Sequence, residues 1–201
     1  MNKIKKINLL REEIKSLHPD KKWDKKFLEK IKIDFTFQSN KLENNALSYG
    51  QTIRYLKEMV QPHNASVKDC LDMKNHYEIL DSVFKSYQSS LSEKIILQVH
   101  QKLMQNMLQW QEDAIYSPGN YKTGFNYTTQ STGKLITYLD PEFVPGAMKK
   151  LIAQTNIALK NTGIQSEEKH PLVIATYFHN RFMEIHPFED GNGRIGRIFM
   201  N

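Results

Sequence analysis

Residues 186–197, His186-Pro187-Phe188-Glu189-Asp190-Gly191-Asn192-Gly193-Arg194-Ile195-Gly196-Arg197, constrain the fold more than any other part of the chain. Gly191 and Gly193 permit positive φ and close backbone approach. The apolar residues Ile195, Ile198, Phe199 and Met200 predict a helix that begins at about Asn192. A glycine turn feeding a helix N-terminus gathers unpaired N–H groups and the positive dipole end at one point, which suits an anion. Arg194 and Arg197, three apart, are expected to share one face of that helix and point the same way. Asp190 is the candidate ligand for a hard cation beside bound phosphates. His186 is the one group there able to accept a proton near neutral pH. The order of groups suits the handling of a polyphosphate.

This stretch resembles the signature of the Fic family, His-Pro-Phe-x-[Asp/Glu]-Gly-Asn-Gly-Arg-x-x-Arg, at every fixed position. The segment from His170-Pro171-Leu172 through Tyr177-Phe178-His179 to Ile185 also looks like the helix that leads into it. The resemblance covers roughly residues 91–201, and the helices before them less securely. It implies a mainly α fold, a multi-helix bundle with one β-hairpin flap. It further implies transfer of AMP from ATP, with Mg²⁺, to a Ser, Thr or Tyr hydroxyl of a target protein. On that resemblance His186 is the general base and Asp190 holds Mg²⁺. Backbone N–H groups of Gly191, Asn192 and Gly193 form an anion hole, with the Asn192 side chain assisting. Arg194 and Arg197 grip the β- and γ-phosphates, while Phe188 packs into the core and Pro187 stiffens the loop. Fic proteins align the target segment on a hairpin by main-chain pairing. Here that role falls to residues 128–138, with Thr128, Leu135 and Ile136 as candidate contacts.

Ser39-Asn40-Lys41-Leu42-Glu43-Asn44 matches the family's inhibitory pattern, [Ser/Thr]-x-x-x-Glu-[Gly/Asn], through Ser39, Glu43 and Asn44. The resemblance implies that Glu43 pairs with Arg197, occupies the guanidinium needed by the γ-phosphate and holds the enzyme off. Alternatives within the same site are removal of AMP from a modified protein and transfer from another phosphate-containing donor. A non-catalytic nucleotide sensor is a further option, against which an intact His186 argues. The absence of Gly-x-x-x-x-Gly-Lys-[Ser/Thr] excludes a P-loop ATPase, and Asp190-Gly191-Asn192-Gly193 lacks the ligand positions of an EF-hand.

Net charge is +6 over 201 residues, with lysines concentrated at Lys21, Lys22, Lys25, Lys26, Lys30 and Lys32. A nucleic-acid-binding regulator is the alternative from another class, but the lysines read as a solvated helix face. No helix-turn-helix spacing accompanies them, so nucleic acid is not called for. A single cysteine, Cys70, excludes a disulfide framework. With no signal peptide and no apolar run long enough to span a membrane, a cytoplasmic protein is expected. Exposed faces of the N-terminal helices leave homodimerisation open.

Two regions are expected: residues 1–90, a helical region carrying the inhibitory helix at about 23–45, and residues 91–201, the catalytic domain. The chain stops eight residues past Gly193, where Fic cores usually continue, so the domain reads as cut short. Ile4, Ile7, Leu10, Ile14 and Leu17 predict a first amphipathic helix that stops at His18-Pro19. The second runs from about Trp23 to Leu42, with Glu43-Asn44-Asn45 as a frayed end. Ser48 with Gln51 has capping-box spacing, Ser66 caps a long helix, and Ser92 starts another through Met107. Turn-rich sequence with Thr and Tyr predicts a hairpin over roughly 125–138. Asp140-Pro141 reads as a cap with proline at the first helical position, opening a helix that ends near Gly163. Pro171–Glu184 is the last helix before the motif.

Overall fold

A computed structural model of the chain describes residues 3–17, 24–86, 89–106, 117–129, 132–163, 166 and 168–200. Lys21, Lys22, the His18-Pro19 stop, Trp23 and Met107 lie outside them. Eight α-helices and one short hairpin appear among the described residues, in the order α1 (Lys3–Leu17), α2 (Lys25–Lys41), α3 (Tyr49–Glu58), α4 (Val67–Ser86), α5 (Glu93–Leu103), β1 (Tyr127–Thr129), β2 (Leu135–Thr137), α6 (Val144–Lys160), α7 (Pro171–Ile185) and α8 (Asn192–Met200). The fold is mainly α, as expected.

Capping chemistry sets most boundaries. Asp24 accepts the Lys26 N–H at the start of α2. Ser48 and Gln51 form the reciprocal capping box of α3, and Ser92 accepts from the Ile95 N–H ahead of α5. Ser66 accepts the Asp69 N–H at 3.0 Å, so α4 begins where its spacing predicts. Three details differ. Asp140 makes no side-chain cap; Pro141 instead opens a 3-10 turn, Pro141–Phe143, that winds directly into α6. Helices α5 and α6 end at Leu103 and Lys160, short of Met107 and Gly163. The Glu43-Asn44-Asn45 end is not frayed. Asn44 sits at φ 63, the Asn45 N–H returns to the Asn40 carbonyl, and the Asn45 side chain donates to the Asp69 carbonyl at 2.9 Å. An asparagine in the left-handed region lets the chain leave the helix sharply.

The core is one cluster, drawing Ile79 and Leu80 from α4, Ile96 and Leu103 from α5, and Val144 and Met148 from α6. Phe178 and Phe182 from α7, Phe188 from the following loop, and Ile195 and Ile198 from α8 complete it. Each such buried side chain contributes about 1.5–3 kcal/mol. Helices on both sides of residue 90 therefore share the same core. Helix α8 lies against α7, α5 and α2, which sets its N-terminus among elements from the whole chain. The stripe on α1 behaves otherwise: Ile7, Leu10, Ile14 and Leu17 are all exposed. Among the described residues no helix is long and apolar enough to cross a membrane.

Candidate active site

Helix α7 ends at His186, whose backbone takes the left-handed region at φ 50, ψ 62 while its N–H closes the helix on the Phe182 carbonyl at 2.9 Å. A non-glycine residue held there costs on the order of 1–3 kcal/mol, and the surrounding structure must enforce it. Two neighbours do so. Phe188, fully buried, stacks on the His100 ring at 3.7 Å between centroids. Tyr138 stacks on the His186 ring itself at 3.7 Å and 11°. Burial, with the Lys122 ammonium nearby, pushes His186 down to about 4, against the Met183 carbonyl and the charges of Asp190 and Glu43. The imidazole is therefore neutral at pH 7 and able to take a proton.

The loop from Phe188 to Asn192 is closed by a side chain that the sequence reading assigned elsewhere. Asn192 Oδ1 accepts the Phe188 N–H at 2.9 Å and its Nδ2 donates to the Phe188 carbonyl at 2.7 Å. At 2% exposure the Asn192 amide is engaged in closing this loop and is not offered outward, where the resemblance had it assist an anion hole. Gly191 takes φ 79, and a Cβ there would meet Met104 Sδ at 3.1 Å. Its carbonyl accepts the Ile195 N–H, which leaves the first N–H groups of α8, from Asn192 onward, without helical partners. His100 braces this turn: its Nδ1 accepts the Gly119 N–H at 2.9 Å, so its Nε2 carries the proton donated to the Asp190 carbonyl at 3.1 Å.

The two arginines part company. Arg194, 3% exposed, is paired with Asp72 of α4 and lies 3.6 Å from Asp190 Oδ2. Its guanidinium faces the interior, so the expectation that both arginines point together toward phosphate is corrected. A buried cation is sustained only by such a partner, and here Asp72 holds it. Arg197 faces outward over the α8 N-terminus. Its Nε donates to Ser39 Oγ at 3.0 Å and its Nη2 to the Ser39 carbonyl at 2.9 Å. The same Nη2 donates to Glu43 Oε1 at 2.6 Å. The Glu43 carboxylate lies so close to Gly193 that it leaves no room for a Cβ on that residue. Ser39 and Glu43 thus come together on Arg197, while Asn44 forms the turn beyond the helix.

Asp190 is partly exposed, with Oδ1 accepting the Gly191 N–H at 2.6 Å. Among the described residues no group of three or more His, Cys, Asp and Glu could hold a metal. The half-exposed Asp190 carboxylate, held by the Gly191 N–H and facing Arg194, still presents a face that fits a Mg²⁺ completing its shell with phosphate oxygens and water.

The hairpin segment is fastened to the motif loop by residues without a sequence signal. The Lys122 N–H donates to the Pro187 carbonyl at 2.8 Å. Glu189 Oε1 accepts the Thr123 and Gly124 N–H groups, both at 3.0 Å. Asn126 Nδ2 donates to the Phe188 and Glu189 carbonyls. The hairpin pairs Thr128 with Ile136 and Thr129 with Leu135. Thr128 and Leu135 are exposed and Ile136 is half-buried. Nothing in local spacing marks Asp72, Glu189, Asn126, His100 or Tyr138, because their partners lie on other elements.

Residues 90–201 match the family model described as Fic/DOC family. This chain belongs to the Fic/DOC family. A Fic domain containing signaling protein from Bacteroides thetaiotaomicron superposes at TM-score 0.77 with 34% identity, over 88% of this chain and 63% of that one. Protein adenylyltransferase Fic of Drosophila persimilis is 22% identical over 212 residues, 99% of this chain and 36% of that protein. The chain thus spans little more than a third of that curated relative. A shorter match, 31% over 90 residues, is to the ribonucleoside-diphosphate reductase small chain of Ostreid herpesvirus 1. It takes in only 16% of that protein, so the activity in its name is not carried to this Fic chain.

Proposed function

We propose that this Fic protein transfers AMP from ATP to a hydroxyl side chain of a target protein, and that Glu43 holds it inactive. The observation that carries the reading is the joint placement of neutral His186, open Asp190 and the unpaired N-terminus of α8, with Arg197 over that terminus. Transfer needs positioning, charge neutralisation and one proton acceptor. His186 takes the hydroxyl proton as the target oxygen attacks the α-phosphorus, and pyrophosphate leaves. The first N–H groups of α8 hold phosphate oxygens. Asp190 would hold Mg²⁺, which supplies charge neutralisation between the phosphates. The two-stranded hairpin offers its edge to an extended target segment.

The Glu43 carboxylate sits over Gly193 and on Arg197, where the γ-phosphate would otherwise lie. A carboxylate there repels the nucleotide's terminal phosphate and occupies its cation. The test is incubation with α-³²P-ATP and Mg²⁺ of the parent chain, Glu43→Gly and Glu43→Gly/His186→Ala. Label on protein in Glu43→Gly alone is the expected result. Equal label in parent and Glu43→Gly would remove the latch, and persistent label without His186 would remove the base.

A further inference from the structure

One charged group near His186 makes no hydrogen bond or ion pair among the described residues. Lys122 is 3% exposed, and its Nζ, fully enclosed, makes no hydrogen bond among the described residues. It lies 6.0 Å from the centre of the Tyr138 ring, the ring that stacks on His186. Its backbone is fastened to Pro187, the residue after the base. Asp140 and Glu189 act on it through space, yet neither forms an ion pair with it among the described residues. Glu189 is already engaged by two backbone N–H groups. A buried cation without hydrogen bonds is costly and calls for an explanation.

We propose that Lys122 is a further phosphate-binding residue, its ammonium taking a non-bridging oxygen of the phosphoryl group next to His186. The assignment rests on the transfer reading only for which phosphoryl that is, the α-phosphate. A base and the phosphorus under attack share one nucleophile, so the phosphoryl oxygens come within a few ångströms of the imidazole. Lys122 is the cation that acts on that imidazole most directly. Arg197 is held on Glu43, where the transfer reading places the γ-phosphate, so Lys122 is the cation that reading leaves for the α-phosphate. A lysine ammonium serves phosphate as a point charge.

The experiment is calorimetric titration of AMP, and separately of inorganic pyrophosphate, into Glu43→Gly and Glu43→Gly/Lys122→Met. AMP affinity is expected to fall about tenfold, the loss of one charge-assisted hydrogen bond, with pyrophosphate affinity unchanged. Lys122→Arg is expected to keep most of the AMP affinity. Unchanged AMP affinity, or equal loss for both ligands, overturns the assignment. Should the methionine variant fail to fold, the ¹⁵N-labelled side-chain amine of Lys122 in Glu43→Gly is followed by NMR. Its signal shifts on AMP addition if the assignment holds, and an unmoved signal overturns it. The titrations do not depend on catalysis, so failed labelling by Glu43→Gly would remove the transfer reading and leave this contrast to decide Lys122.

Discussion

Two ion pairs hold the motif arginines, and their burial separates their roles. Arg194 and Asp72 are almost wholly enclosed, with side chains 3% and 6% exposed. Replacing Asp72 by alanine strands a buried guanidinium, and a loss of about 3–5 kcal/mol is expected in urea denaturation. Arg197 and Glu43 are more open, at 18% and 39%. Solvent screening limits such a pair to about 1 kcal/mol, so Glu43→Gln is expected to shift the midpoint little. A pair this open is more readily displaced by a ligand than the buried Asp72 pair. If both variants lost stability equally, the distinction between a structural pair and a releasable one would fail.

At the scale of elements, the hairpin segment is tied to the motif loop by side chains from both. Glu189 and Asn126 carry four hydrogen bonds between them across that joint. Asn126→Ala takes the Asn126 donor from the Glu189 carbonyl, at a cost of about 1–3 kcal/mol, while the Phe188 carbonyl keeps the Asn192 amide. Steady-state labelling of Asn126→Ala in the Glu43→Gly background is expected to show KM for a target peptide rising several-fold while that for ATP stays level. Equal changes in both would place Asn126 outside target alignment. The sequence showed the hairpin through its turns and its Thr and Tyr residues, but not its anchors. Those anchors pair residues more than sixty positions apart, beyond any local periodicity.

The whole molecule carries a pH dependence to which His76 and His100 contribute alongside His186, whose shift is in the same direction. His76 is pushed down to about 3 by burial and by the charges of Arg194 and Arg197. His100 is pushed down to about 4, chiefly by burial, against the Asp190 carbonyl and charge. Both start from an ordinary value of 6.5. Below that value the unfolded chain binds protons the folded chain does not, so stability falls as pH drops. The loss begins near pH 6.5 and continues to about 4 for His100 and about 3 for His76, each at up to about 1.4 kcal/mol per pH unit. Denaturation midpoints between pH 7.5 and 5 are expected to fall, and His76→Gln is expected to flatten the slope. A slope unchanged in that variant would show that His76 is not titrating.

By itself the sequence determined the local structure and the chemistry of the site. Cap residues at Ser48, Ser66 and Ser92 fixed helix starts, and the glycine turn before Asn192 fixed where α8 exposes its N–H groups. Those features act over one or two turns, so a linear reading finds them. The partner of each charged group was another matter. The spacing of Arg194 and Arg197 put them on one face, yet α4 brought Asp72 to the first and α2 brought Glu43 to the second. Asn192 turned inward to close its own loop, and Lys122 came to rest beside His186. Packing of distant helices against one core decided these outcomes, because a buried charge or amide takes whichever partner the tertiary structure delivers.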